Sequence, residues 1–370
     1  MKAIAVTPAK QQIALIDRPV PEITSPTQVK LRILEVGVCG TDREISRFEY
    51  GTPPDGSEQL VIGHESLGQV AAVGSAVKNF AVGDLAMVMV RRPCNHEECL
   101  PCRSGRQDFC VTGDYAERGI KSIDGFMTEY VVDEEKYMFK LPAGLRDVGV
   151  LTEPLTIAEK AIEQLLTMQH RLPWEIRHKE GDKSAHTCLV LGAGPVGLLG
   201  AFVFRAAGFN VFLYSKGGAN EERAKIGEAV GAGYISADTV PISQLGKETG
   251  GFDVVFEATG ASQLSFDVIP QLGINGVFIF TGVPGRKRKD LSIDGNGIMQ
   301  QLVLKNQIVF GTVNAGRESY ESAINRIADI EKRWPGVLSR VITARHKPEE
   351  FMQLLTGDAT GIKHTIAFGR

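Results

Sequence analysis

Short apolar runs divided by Gly, Pro and Asp fill residues 1–150. Examples are Val29-Lys30-Leu31-Arg32-Ile33-Leu34, Gly68-Gln69-Val70-Ala71-Ala72-Val73-Gly74 and Leu85-Ala86-Met87-Val88-Met89-Val90. Such runs predict β-strands in an antiparallel, barrel-like unit. From about Leu155 to Leu172 the period lengthens, with Ile157, Ala161, Leu165 and Met168 at the three- and four-residue spacings of a helix. The charged segment Arg177-His178-Lys179-Glu180-Gly181-Asp182-Lys183 reads as an exposed connection. Beyond it strand and helix alternate. His186–Leu191, Asn210–Tyr214, Gly233–Ser236, Phe252–Ala258, Gly276–Thr281 and Gln307–Val313 predict strands; Val196–Ala207 and Glu221–Val230 predict helices. This alternation implies right-handed crossovers and a doubly wound parallel sheet. The expected fold is therefore α/β, with domains at 1–186 and 187–310, and with 311–370 returning to the first.

Composition fits that picture. A chain of 370 residues exceeds one ordinary core, and 43% apolar residues with 23% charged ones are globular values. The net charge of −3 gives no reason to expect a nucleic-acid or membrane-surface partner. The uncharged stretch from Ser184 to Phe204 contains Gly192, Gly194, Pro195, Gly197 and Gly200, which suits a buried strand, turn and helix rather than a membrane span. The N-terminus turns polar too soon for a secretory signal, and a cytoplasmic location is expected.

The turn Gly192-Ala193-Gly194-Pro195-Val196-Gly197 follows a strand and opens a helix. Its first glycine permits the tight turn, its second lets backbone approach a pyrophosphate, and its third packs helix on strand. Dinucleotide binding is expected there, with phosphates at the helix N-terminus. At the end of the next strand an NAD site would place an acid; Ser215 and Lys216 stand there instead, and can take a 2′-phosphate, so NADP, or use of both, is favoured over NAD alone. Thr259, Thr281 and Val283 lie at carboxyl ends of later strands and are further cofactor candidates. The run Arg286-Lys287-Arg288-Lys289 reads as a solvated loop.

Two groups of residues suit zinc. Cys94, Cys99, Cys102 and Cys110 fall within one short loop, a spacing for a closed tetrahedral site in a reducing compartment. Either Cys94 or His96 supplies the first ligand, and an all-sulfur set favours Cys94. Elsewhere Cys39 follows an apolar strand in a Gly-rich turn, His64-Glu65 follows Leu60-Val61-Ile62-Gly63, and Glu153-Pro154 starts the long helix. Mixed sulfur, nitrogen and oxygen donors leave a position open for substrate, as a catalytic zinc requires.

Together these residues resemble the zinc-containing medium-chain dehydrogenase/reductase family over nearly the whole chain. Within it the chain is most similar to glucose dehydrogenases best known from archaea. The matching phrases are Gly37-Val38-Cys39-Gly40-Thr41-Asp42, Gly63-His64-Glu65, Val90-Arg91-Arg92-Pro93, Glu117-Arg118-Gly119-Ile120, Asp124-Gly125-Phe126-Met127 and Thr312-Val313-Asn314. The resemblance implies a GroES-like catalytic domain beside a Rossmann domain, and oxidation of an aldose at C1 with NADP or NAD. It also implies that Cys39, His64 and Glu153 hold the catalytic zinc, with Glu65 beside it as second-shell or alternate ligand. Thr41 would bind the reacting hydroxyl; Glu117 and Asn314 would bind sugar hydroxyls, Asn314 lying near the cofactor as well. A homo-oligomer, dimer or tetramer, is implied too. A polyol or secondary-alcohol dehydrogenase is the alternative on the same scaffold, since fold alone does not fix substrate. A non-catalytic descendant is disfavoured by the presence of Cys39, His64, Glu65 and Glu153 together.

Overall fold

Strand Gln28–Gly37 is the spine of the first unit. Val29, Leu31 and Ile33 alternate inward, and from Leu34 onward both faces are buried. On one side it pairs antiparallel with Glu65–Val73, and on the other with Tyr130–Glu134 and then Lys363–Ala367. Met138–Leu141, Leu85–Val88 and Ile342–His346 complete this sheet, and two three-stranded sheets accompany it. Val29, Leu31, Ile33, Ile4, Val88 and Phe126 share one core, each buried side chain worth about 1.5–3 kcal/mol. The computed structural model describes residues 1–176, 185–247, 250–285, 290–357 and 360–369. The predicted connection 177–183 and basic run 286–289 lie outside the described residues.

The unit is not wholly antiparallel as expected: Ile342–His346 runs parallel to Lys363–Ala367, and Ala116–Arg118 to Ser122–Ile123. The first pair is joined through helix Phe351–Leu355, and such a crossover is what parallel neighbours need.

The second unit is built on six parallel strands. In spatial order they are Gly233–Ser236, Asn210–Ser215, Thr187–Leu191, Phe252–Glu257, Leu272–Phe280 and Ile308–Gly311. This is the doubly wound arrangement, whose central strand comes first in the chain. Leu189, Leu191, Val255 and Phe278 form its core with Phe252 and Leu272. The uncharged stretch resolves into strand Thr187–Leu191 and helix Pro195–Ala206. Among the described residues no helix is long and apolar enough to cross a membrane.

The division between units lies elsewhere than the sequence suggested. Met1–Thr156, Asn314–Ala328 and Ile342–Arg370 form one unit, Ile157–Val313 and Asp329–Val341 the other. Helix Thr152–Gln169 begins in the first and continues in the second with its apolar period unbroken, so no composition shift marks the hand-over. Asp329–Val341 is tied to the second unit by Arg340, 2.8 Å from Glu222.

Candidate active site

Cys39 is the N-cap of helix Gly40–Ser46, and Asp42 in the first turn accepts its N–H through Oδ2 at 2.8 Å. The other oxygen of Asp42 lies 3.3 Å from His64 Nδ1. One buried carboxylate thus bridges the backbone of one candidate ligand and the ring of another. Such a partner fixes the proton on Nδ1 and leaves Nε2 for a metal. Thr41, two residues after Cys39, is partly buried on the same turn.

Strand register brings in the rest. Glu65 stands opposite Gly37 from one neighbouring strand, and Thr365 opposite Gly37 from the other. A methyl group on Gly37 would overlap the Glu65 carboxylate and sit 2.9 Å from Lys363 Cε. The missing side chain is therefore what lets Lys363 reach across. Its ammonium, on a residue only 2% exposed, donates to Glu65 Oε1 at 2.5 Å and to Val38 O at 3.0 Å, and also contacts Glu65 Oε2.

Ligand atoms of Cys39, His64 and Glu65 lie within 4.8 Å of one another. Glu153, in the first turn of its helix, stands outside this tight set but close enough to interact electrostatically with it. Glu65, expected as second-shell or alternate ligand, is thus in the tight set with Cys39 and His64, and Glu153, expected as third ligand, lies beside it. Burial pushes the Glu153 carboxyl up to about 7, with His64 opposing and Glu65 reinforcing. Burial disfavours charge on His64, yet Asp42 and Cys39 outweigh it and raise that pKa well above the usual value. Asp42 Oδ1 and His64 Nδ1 are buried and face each other without a completed hydrogen bond. A site with a thiol, an imidazole, three acids and unspent buried polar atoms fits a divalent zinc ion.

The second cluster is equally definite. The sulfurs of Cys94, Cys99, Cys102 and Cys110 fall within 4.8 Å of one another, Cys99 and Cys110 at 3.9 Å. Backbone N–H groups of Val111 and Cys102 lower the Cys99 pKa, whereas burial pushes Cys102 up to about 12. Four convergent sulfurs met by backbone donors fit a structural zinc. His96 turns away and bonds Asp114 through Nε2 at 2.6 Å.

Glu117 and Asn314 meet in the first unit with a residue the sequence reading left without a role, Arg91. Arg91 donates twice to Glu117 Oε1, from Nε at 3.0 Å and from a terminal nitrogen at 2.9 Å. The Asn314 amide nitrogen faces the same oxygen at 3.2 Å.

In the second unit Gly192 has φ +95°, left-handed backbone that glycine adopts freely. A Cβ at Gly197 would strike Gly192 O, whereas Gly194 faces open space. Helix Pro195–Ala206 starts at Gly194 with no side-chain cap on its free N–H groups. Ser215 ends its strand, and the turn after Lys216 is held by Asp238, which accepts the Gly217 N–H at 2.7 Å. Thr259 and Thr281 are occupied internally. Buried Glu257 accepts the Thr259 N–H and hydroxyl, both at 2.6 Å, and the Gly260 N–H at 2.8 Å, while its carbonyl takes the Thr281 hydroxyl at 2.6 Å. Val283 is exposed.

Comparison with known proteins adds to this geometry. Residues 146–368 match the family model described as glucose dehydrogenase C-terminus, and residues 25–143 match the alcohol dehydrogenase GroES-like domain. The chain belongs to the glucose dehydrogenase family of zinc-containing medium-chain dehydrogenases. Glucose 1-dehydrogenase of Methanocella arvoryzae is 39% identical over 372 residues, covering 100% of both chains. Glucose 1-dehydrogenase 2 of Vulcanisaeta moutnovskia is 35% identical over 99% of each. Haloferax mediterranei glucose dehydrogenase, solved in complex with NADP, Zn and gluconolactone, superposes with a TM-score of 0.87 at 29% identity over 100% of both chains. As a member of this family the protein is an NAD(P)-dependent zinc dehydrogenase with a GroES-like domain and a Rossmann domain.

Asp42, Lys363 and Arg91 are what sequence reasoning missed. Asp42 alone left a signal, because an acid three residues after Cys39 is the spacing of a helix capping pair.

Proposed function

We propose that the protein oxidises an aldose, D-glucose or D-galactose, at C1 to the aldonolactone, with Cys39, His64, Glu65 and Glu153 serving a catalytic zinc. The observation that carries this is the convergence of Cys39, His64 and Glu65 within 4.8 Å, in the same unit as buried Arg91 and Glu117 with half-buried Asn314. Zinc, when bound, supplies a Lewis acid that lowers a hydroxyl pKa, and the nicotinamide supplies a hydride acceptor. The chain's own part is orientation and proton handling. Thr41 hydrogen-bonds the reacting hydroxyl and carries its proton outward. Glu117 and Asn314 bind the other sugar hydroxyls, polar groups where a simple alcohol would need an apolar wall. Asp42 holds His64 in its ligating tautomer, and Lys363 pairs with Glu65 and holds it in place.

In the second unit, the open Gly194 and the uncapped helix start at Pro195 receive the pyrophosphate. Lys216, with no acid at 215 or 216, supports acceptance of a 2′-phosphate beside Ser215. Four closely spaced cysteines suit a reducing compartment, and the cytoplasm is the proposed location. The homo-oligomer is proposed to form on the strand Ile308–Gly311. That strand ends the sheet, and Met299, Val303 and Leu304 of the preceding helix are 63–72% exposed.

The deciding experiment is initial-rate oxidation of D-glucose, D-galactose, D-xylose and sorbitol with NADP and with NAD, before and after chelation and zinc restoration. Chelator-sensitive turnover of aldoses but not sorbitol is expected. Activity confined to sorbitol or simple alcohols would transfer the protein to the polyol branch.

A further inference from the structure

Arg91 and Glu117 face each other in register on the antiparallel strands Arg91–Arg92 and Ala116–Arg118. The Arg91 guanidinium sits 3.6 Å from the centre of the Tyr115 ring and is 7% exposed. Both of its bonds to Glu117 fall on Oε1, so Oε2 is the oxygen left for another donor. Asn314 takes left-handed backbone at φ +59°, which asparagine tolerates, and its side-chain oxygen accepts from Arg91. Three side chains thus form one group, with the positive and negative charges paired.

A third anchor of Arg91 lies outside that group. Its other terminal nitrogen donates to Asp108 O at 3.4 Å. Asp108 belongs to the short helix Gln107–Phe109 that runs directly into Cys110. Its carboxylate is gripped by Arg106 at 3.0 and 3.1 Å and packs on Gly316, two residues after Asn314. A methyl group on Gly316 would come within 2.9 Å of Asp108 Oδ1. One residue of the four-cysteine lobe therefore braces Arg91 through its carbonyl and the Asn314–Gly316 turn through its side chain.

We propose that Arg91 is a positioning residue for sugar binding, and that the four-cysteine lobe sets its position through Asp108. The inference rests on the reading that Glu117 and Asn314 bind sugar hydroxyls. A carboxylate and an amide select hydroxyl positions only when their rotamers are fixed, and a guanidinium fork fixes both in a way that an ammonium does not. Because Glu117 neutralises Arg91, the group presents oriented acceptors and donors without net charge, which suits a neutral sugar over a sugar phosphate. On this view the lobe's metal tunes affinity for sugar as well as local stability.

The test uses the zinc-loaded full chain, with KM for D-glucose, KM for NADP, kcat and calorimetric D-glucose binding measured on each variant. Arg91→Lys is expected to raise KM for D-glucose about tenfold, with kcat within about twofold and KM for NADP unchanged. Cys110→Ser is expected to raise the same constant, and the double variant to be no worse than the poorer single one, because both act through one route. Gly316→Ala reaches Asp108 without altering a cysteine or Arg91; it should raise the calorimetric Kd for D-glucose at full zinc content, and it carries the coupling test if Cys110→Ser does not fold. Equal losses in kcat and both KM values, or effects that multiply in the double variant, would overturn the proposal and leave Arg91 as a strand-pairing contact. Glu117→Gln separates the two readings. If it leaves KM for D-glucose unchanged, the sugar-pocket assignment fails; if it raises KM and Arg91→Lys does not, only the role of Arg91 fails.

Discussion

The two cysteine-containing clusters of the first unit are built in opposite ways. The lobe holding Cys94, Cys99, Cys102 and Cys110 comes from one short loop and has almost no other apolar interior. The sulfurs themselves are its buried core, while Leu100, Phe109 and Val111 are exposed. The cluster at Cys39, His64 and Glu65 is gathered from distant strands, with Asp42 and Lys363 satisfying its charges from inside a large apolar core. A loop without a core needs its metal to fold, whereas a site walled by strands keeps its shape and needs metal only for chemistry.

The sharpest way to break this comparison is to remove a donor from the assembled cluster. His64→Asn should lower kcat/KM for D-glucose by more than about a thousandfold, since a Lewis acid contributes several kcal/mol, yet leave the melting temperature nearly unchanged. Steady-state kinetics and calorimetry check this; a collapsed melting temperature would show that the strands do not hold the site.

Lys363→Met comes next. It strands Glu65 as an unpaired buried carboxylate and should cost about 3–5 kcal/mol in denaturant unfolding, with much of the loss recovered by adding Glu65→Leu. Asp42→Asn keeps the shape but loses the charge behind His64, and should weaken zinc binding about 10–100-fold in chelator competition.

The smallest effect is in pH. In metal-free protein both His64 and Glu153 have raised folded-state values, so these two groups bind more protons in the folded chain than in the unfolded one. Their contribution to stability is present at low pH and is lost as pH rises, for Glu153 between its unfolded value near 4.3 and about 7. The difference in melting temperature between chelated wild type and chelated Glu153→Gln should accordingly fall from pH 5 to pH 8. Zinc binding should strengthen over the same range, because the metal takes deprotonated ligands. Hydrogen exchange on the chelated sample should show residues 94–112 opening while strands Gln28–Gly37 and Glu65–Val73 stay protected.

How much of the molecule could be read beforehand follows the same division between local and assembled. The six parallel strands, the turn at Gly192–Gly197 and the four cysteines were legible because each is a contiguous pattern whose meaning lies in spacing. Cys39 and His64 were legible as types in suggestive turns. Lys363 was not, because its partner Glu65 lies far away in the chain and they meet only through the register that puts Gly37 between their strands. Nor was Glu257, whose carboxylate looks like a strand-end acid until two separate turns fold onto it.

The sequence by itself determined the elements, the fold class, the lobe and the kinds of donor available, since these depend on periodicity and on short-range backbone chemistry. Only the tertiary structure decided which acids stand together, which cation neutralises them, and where the helix Thr152–Gln169 passes from one unit to the other. Those outcomes depend on strand register and on packing between residues hundreds of positions apart, and a one-residue change of register would turn every such side chain to the opposite face.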